Sequence, residues 1–272
     1  MTSRVLLLLL AGIALGAVVD YPSELAAWRR DREAQLKAEG GWLSVAGLFW
    51  LNEGPNRFGA AQSNEIVLPD GPASAGVFEL RAGKVTLRMN GSTRAIPNDS
   101  AESVSVGRLS LFLIKRGGKF GIRMKDPDAA TRRNFHGIDY FPPKESLRVT
   151  ARFVAEPKRI PIANVLGQTE ASECPGYVVF RLEGKEHRLY PILEEPDAKT
   201  LFFIFRDPTA GRETYGAGRF LDTDLPKDGK VMLDFNKAYN PPCVFTDYAT
   251  CPLPPKENHQ SARIEAGEKK YH

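Results

Sequence analysis

The residues with the most chemical potential lie in two stretches near the end of the chain. The first runs from Phe203 to Arg219 and holds Arg206, Asp207, Thr214 and Tyr215. The second runs from Asp234 to Glu268 and holds Asn236, Tyr239, Asn240, Cys243, Cys251, Asn258 and His259, braced by Pro241-Pro242 and Pro254-Pro255. An arginine at a strand end can clamp a carboxylate or phosphate through two nitrogens, and Arg219 is the natural candidate. Asparagine amides both donate and accept hydrogen bonds, and prolines hold a loop rigid without regular pairing. Arg206, Tyr215, Arg219, Asp234, Asn236, Tyr239, Asn240 and Asn258 are therefore the expected ligand-binding set. The competing reading is a proline-braced end that covers a sheet edge, with the arginines and aspartates pinning strands internally.

Other chemistries fit less well. A thiol nucleophile would need Cys243 beside His136 or His259 and an aspartate. There is no Gly-x-Ser-x-Gly elbow. A metal could draw on Cys243, Cys251, His259 and a carboxylate, or on His136, Asp126 and Asp139. The gap between the two cysteines is wider than a zinc knuckle uses, and no His-Glu-x-x-His occurs. No metal and no cofactor is expected, and no catalytic residue is assigned. A carboxylate or Cys243 hydrolase and a structural envelope protein stand as the alternatives to a binding protein.

The start of the chain bears on the compartment. Arg4 precedes an apolar run from Val5 to Leu15, and Ala14 and Gly16 follow an A-x-A-like spacing. That pattern is a secretory signal peptide, with cleavage expected after Gly16. The run ends at Val19, short of the ~20 residues that a span requires, so no stable membrane insertion is expected after cleavage. The expected location is secreted or periplasmic. Losing Arg4 takes the formal charge from +4 to +3, and the basic residues are scattered, so nucleic acid is not an expected partner. Of the three cysteines, Cys243 and Cys251 form the natural disulfide candidate for an exported chain. Such a short loop would contribute about 2.5 kcal/mol. Pairings with Cys174 stay open.

The elements that must position these residues are mostly strands. Leu25, Trp28, Arg32 and Leu36 repeat at helical spacing after an expected N-cap at Ser23, and Gly40-Gly41 stops the helix. An apolar run, Trp42 to Leu51, follows. Strands are expected at 65–68, 77–80, 85–89, 110–114 and 120–124. Asp70-Gly71, Asn90-Gly91 and Gly117-Gly118 separate them. Tyr140-Phe-Pro-Pro143 marks a break. Strands then recur at 147–153, 177–182, 187–192, 201–205, 219–221 and 231–235, with a final one at 262–264. The expected fold is mainly β: an antiparallel β-sandwich or barrel-like body, one N-terminal helix and a long proline-rich C-terminal segment. The expected divisions are a signal peptide at 1–16, a helix with a sandwich-like half at 17–139, and a second β-rich half with the C-terminal motif at 140–272, packed on the first.

Several of these motifs carry a resemblance. Gly41-Trp42-Leu43, Gly47 to Leu51, Phe203–Asp207 with Thr209, Thr214 to Phe220, Asp234-Phe235-Asn236 and the tail resemble the bacterial and archaeal family known as domain of unknown function 1684, over residues 21–271. The resemblance implies a β-rich fold and no agreed activity. Glu53-Gly54, Arg57-Phe58-Gly59, Asn64 to Leu68 and Ser74 are similar to a forkhead-associated domain, a β-sandwich that reads phosphothreonine. Ala60 stands where that pattern has an arginine and no histidine follows Ser74, so only the sandwich carries over. The expected partner is a small molecule or glycan, bound in a cleft between the second half's sheet and the tail.

Overall fold

A computed structural model describes residues 20–98 and 102–271. The expected signal peptide at 1–16 lies outside the described residues. The chain is mainly β, with antiparallel sheets, one N-terminal helix and, among the described residues, no closed barrel.

Helix α1 covers Tyr21–Lys37. Its cap is Asp20, whose carboxylate accepts from Ser23 N at 2.8 Å. The expected cap, Ser23, thus receives the bond as the donor inside the first turn, because Pro22 is better placed at the helix start than before it. Leu25 and Leu36 are buried, whereas Arg32, on the same stripe, makes polar contacts. At Gly41 a Cβ would lie 2.3 Å from Gln35 O, so the chain can reverse under the helix only without a side chain.

The first half is a sandwich. Strands β1 (Val45–Trp50), β7 (Ser103–Val106), β8 (Leu109–Arg116) and β9 (Lys119–Lys125) form one sheet in the order β1-β9-β8-β7. The other sheet contains β2 (Gly54–Gly59), β3 (Ile66–Val67), β4 (Gly76–Arg81), β5 (Lys84–Met89) and β6 (Ser92–Ile96), in the order β3-β2-β4-β5-β6. Phe58, Phe78, Val85 and Leu87 from one sheet meet Leu109, Leu111, Ile122 and Met124 from the other in a common core. The short helix α2 (Ala130–Arg133) follows.

The second half is built on a long hairpin, β10 (Arg148–Ala163) and β11 (Thr169–Leu182), flanked by β15 (Lys230–Asp234) and β12 (Lys185–Leu189). The pairing of β10 with β11 slips between Ala155 and Lys158, next to Pro157, which has no N–H to donate. Glu183 and Gly184, both at positive φ, make the expected tight turn into β12. A separate ribbon pairs β13 (Thr200–Phe205) with β14 (Arg219–Asp224).

Strand β13 explains where the site lies. Its side chains alternate between two buried environments. Leu201, Phe203 and Phe205 enter the core of the second half with Leu221, Leu233 and Phe235. Phe202 and Ile204 face the other way, into a cluster with Phe220, Ile162, Cys251 and Trp42. That second cluster includes residues of the first half's approach and of the tail. After β15 the chain forms short 3-10 turns and single bridges rather than strands, and the strand expected at 262–264 does not form. Its backbone bonds go to side chains instead, as at Ile264.

The two faces of β13 predict unequal costs. Phe203→Ala should cost about 3–5 kcal/mol, the usual range for a fully packed phenylalanine. Phe202→Ala should cost less, because part of its ring borders a hollow rather than packed atoms. Urea unfolding of both variants measures the difference. Equal losses would mean that the two faces are equally packed.

Candidate functional site

The hollow beside Phe202 holds about 340 Å³. Helix α1 contributes Arg32 and Gln35, the first half contributes Trp42, Arg116 and Arg123, the β13–β14 ribbon contributes Phe202 and Phe220, and the tail contributes Tyr239, Thr250 and Cys251. A smaller hollow of about 260 Å³ shares Arg32, Gln35 and Tyr239 with it and adds Trp28, Asp31 and Asp222. Charged and aromatic side chains therefore converge where the helix, both halves and the tail meet.

Arg123 is the unusual member. In β9, Phe120, Ile122 and Met124 face the sandwich core, so Arg123 projects from the opposite face. That face is covered, and Arg123 is only 8% exposed. Its guanidinium lies over the Trp42 ring, 5.0 Å from the centroid. Nε and Nη2 are buried and have no hydrogen-bond partner among the described residues. Burial, then the nearby cation Arg116, pull its pKa down to about 10. Arg116 reaches neutral acceptors, Thr250 Oγ1 at 3.3 Å and its neighbour Lys115 O at 2.7 Å. On the carboxylate side, burial pushes up the pKa of Glu194, aided by Asp222 and Glu195, and burial also raises that of Asp222.

The tail is held in place by a second set of polar groups. Arg32 Nε lies 2.9 Å from Glu268 Oε1, and its Nη2 donates to Asn240 O at 2.9 Å. Its guanidinium also sits over the Tyr239 ring at 4.6 Å. Glu268 is fully buried, and its other oxygen accepts from Asn240 N at 2.7 Å. A Cβ on Gly267, at φ +76°, would lie 2.3 Å from Ala238 O, so glycine is required for this close approach. Glu265 pairs with Lys144 and Arg263. Glu268 and Glu265 of the tail thus use Arg32, Lys144 and Arg263.

The ligand-binding set expected from sequence is mostly placed elsewhere. Arg219 is 1% exposed and held by an acid and two carbonyls. It pairs with Asp207 at 3.1 Å, donates to Ile264 O at 2.8 Å and bonds Ala266 O. Asp207 in turn accepts from Ile264 N at 2.8 Å. Asp234 accepts from the Tyr21 hydroxyl at 2.9 Å. Asn236 exchanges two bonds with the Lys144 backbone, both at 2.9 Å. Asn258 joins the backbones of Tyr190 and Ile204. Asn240 bonds Lys269 O at 2.8 Å, and its side-chain oxygen is buried without a partner. Arg206 is exposed. Of the expected set, only Tyr239 lines the hollow, with its hydroxyl donating to Asp222 at 2.7 Å. The tail does fold back onto Arg219, but as a strap over a buried ion pair and not as the border of a cleft.

Arg116, Arg123, Trp42 and Phe202 carry no local signal of this role. Arg123 reads as an ordinary outward-facing strand residue, and the surface that covers it comes from distant sequence.

Cys243 and Cys251 are free thiols in contact. Cys243 N donates to Cys251 Sγ at 3.1 Å. The hydrogen bond from Cys251, helped by one from the Tyr215 hydroxyl, brings the Cys243 pKa down to about 7, while Cys251 is pushed up. The expected bridge is not formed here. His136 and His259 are exposed, and neither bonds Cys243. Among the described residues, no three His, Cys, Asp or Glu side chains form a metal-binding group, and no helix is long and apolar enough to cross a membrane.

The model of a family described as "Protein of unknown function (DUF1684)" matches residues 133–269. The chain belongs to this family. The matched span contains the second half and most of the tail, including Asp207, Arg219 and Glu268, while Trp42, Arg116 and Arg123 precede it. A solution NMR structure of an uncharacterised protein from Haloarcula marismortui is 31% identical, with a TM-score of 0.43. The alignment covers 51% of this chain and 78% of that one. No curated protein matches the chain.

Two outcomes follow from these contacts. Arg219→Ala strands a buried carboxylate at Asp207 and should cost about 3–5 kcal/mol in urea unfolding; a loss under 1 kcal/mol would show that the strap does not hold the tail. Iodoacetamide should label Cys243 before Cys174 and Cys251. Thiolate forms as pH rises, so the rate should climb through pH of about 7 and level off above it. Tyr215→Phe should move that midpoint upward. Peptide mapping at several pH values reads both.

Proposed function

We propose that this is an exported protein that binds a small polar ligand in the hollow between the helix, the two halves and the tail. One observation carries the binding part. A hollow of about 340 Å³ is lined by both charged and aromatic side chains drawn from separate parts of the chain. Small-molecule sites are typically ~300–1,000 Å³, occur at such junctions, and combine apolar walls with a few placed polar groups. Phe202, Phe220 and Tyr239 offer ring faces and edges, while Glu194 and Asp222 can accept hydrogen bonds from hydroxyl groups. A glycan-like or similarly hydroxylated ligand extending over Tyr239 fits that arrangement. Export rests on the apolar start of the chain and its small-residue cut site at Gly16.

The test is a thermal-shift panel of polar metabolites and oligosaccharides, run on the parent and on Gln35→Trp. Gln35 lies on the exposed side of α1 at the mouth, so an indole there should block the hollow without disturbing the core. A ligand at a hundred times its Kd stabilises the folded state by about 2.7 kcal/mol. That shift should appear in the parent and vanish in Gln35→Trp. A panel with no shift, or equal shifts in both proteins, would overturn the reading.

A further inference from the structure

We propose that the ligand of this hollow carries a carboxylate or phosphate group, and that the guanidinium of Arg123, beside that of Arg116, receives it. The inference rests on the hollow being a binding site and names the charge of its ligand.

The chain itself shows how its arginines treat acids. Arg57 holds Glu65 through Nε at 3.0 Å and Nη2 at 2.7 Å. Arg108 holds Asp126 through the same two nitrogens, at 2.9 and 3.1 Å. This side-on, two-nitrogen grip is the geometry that guanidinium groups use for carboxylates and phosphates. In Arg123 the same edge is buried and meets no acceptor among the described residues. An ionised group removed from water without a partner is costly, and native proteins rarely leave one so.

The surroundings sharpen the point. The charged neighbour that acts on Arg123 most is another cation, Arg116, which meets only neutral oxygens. Glu194 also lines the hollow but forms no ion pair with either arginine among the described residues. The positive charge at this end is thus not neutralised from within. The Trp42 ring, which also lines the hollow, lies under the guanidinium at 5.0 Å. Phe202 and Phe220 stand on the same hollow as a surface for an apolar or planar body. The occupant that satisfies all of these is a small organic acid or phosphate ester with a ring or hydrocarbon body, its oxyanion on Arg123 and Arg116.

The experiment compares phenyl phosphate, benzoate, inorganic phosphate and neutral benzyl alcohol on the purified protein. Calorimetry and tryptophan fluorescence are the readouts. An aromatic anion should bind at least about tenfold more tightly than benzyl alcohol. The better of phenyl phosphate and benzoate identifies the oxyanion; inorganic phosphate reports what the headgroup contributes without a body. Arg123→Met should lose at least about tenfold in anion affinity. Its unliganded melting temperature should not fall, because an unpaired buried charge has been removed. If that variant does not fold, Arg123→Lys decides: it keeps the charge, lacks the two-nitrogen edge, and should bind with reduced affinity. Equal binding of anions by the parent and the variant, or no preference over benzyl alcohol, overturns the inference, as does no binding at all. Neutral binding that Gln35→Trp abolishes and Arg123→Met leaves unchanged would remove the anion and keep the site. Anion binding that persists in Gln35→Trp would remove both.

Discussion

The path of the last segment is decided by a guanidinium sealed inside the protein. Arg219 meets Asp207 and the carbonyls of Ile264 and Ala266, with no exposure to solvent worth the name. A charge buried this way is tolerable only if every donor finds an acceptor, so the tail has little choice of position. Because the tail is fixed there, Glu268 is delivered to Arg32 and Asn240, and the helix is fastened to the tail. Tyr239, Thr250 and Cys251 then form one wall of the hollow. The irregular final segment behaves as a core element whose backbone bonds run to side chains.

The contrast between two buried arginines separates framework from site. Arg219 and Arg123 are both nearly inaccessible. The first is met by an acid and two carbonyls. The second lies on an aromatic face with two nitrogens unmatched. Burial alone says nothing about function in either case. What distinguishes them is whether the folded chain completes the hydrogen bonding. The asparagines obey the same logic: Asn236 and Asn258 spend their amides on backbone groups of distant loops and so belong with Arg219.

Much of the fold was legible in the sequence, and the site was not. Period-2 alternation and glycine turns located most strands, including the Glu183-Gly184 hairpin and the fully apolar β13. The proline-bearing extension of β10 was missed because proline argues against a strand, and the structure absorbs Pro157 at a slip in pairing. The density of polar groups in the tail was visible. Their purpose was not, because a ligand-binding asparagine and a backbone-stapling one have the same local sequence. Arg123 was invisible for a different reason. Its burial comes from Trp42 and from the tail, well over a hundred residues onward, and strand alternation marks it only as facing outward.

The walls of the hollow have separate origins along the chain. The saturated framework lies within residues 133–269, while Trp42, Arg116 and Arg123 belong to the sandwich that precedes it. The sandwich-side wall of the hollow and the strap that holds the tail are therefore encoded in different stretches of the chain and can drift apart. A relative that kept the strap and ribbon but altered the sandwich face would preserve its shape while lining the hollow with different charges.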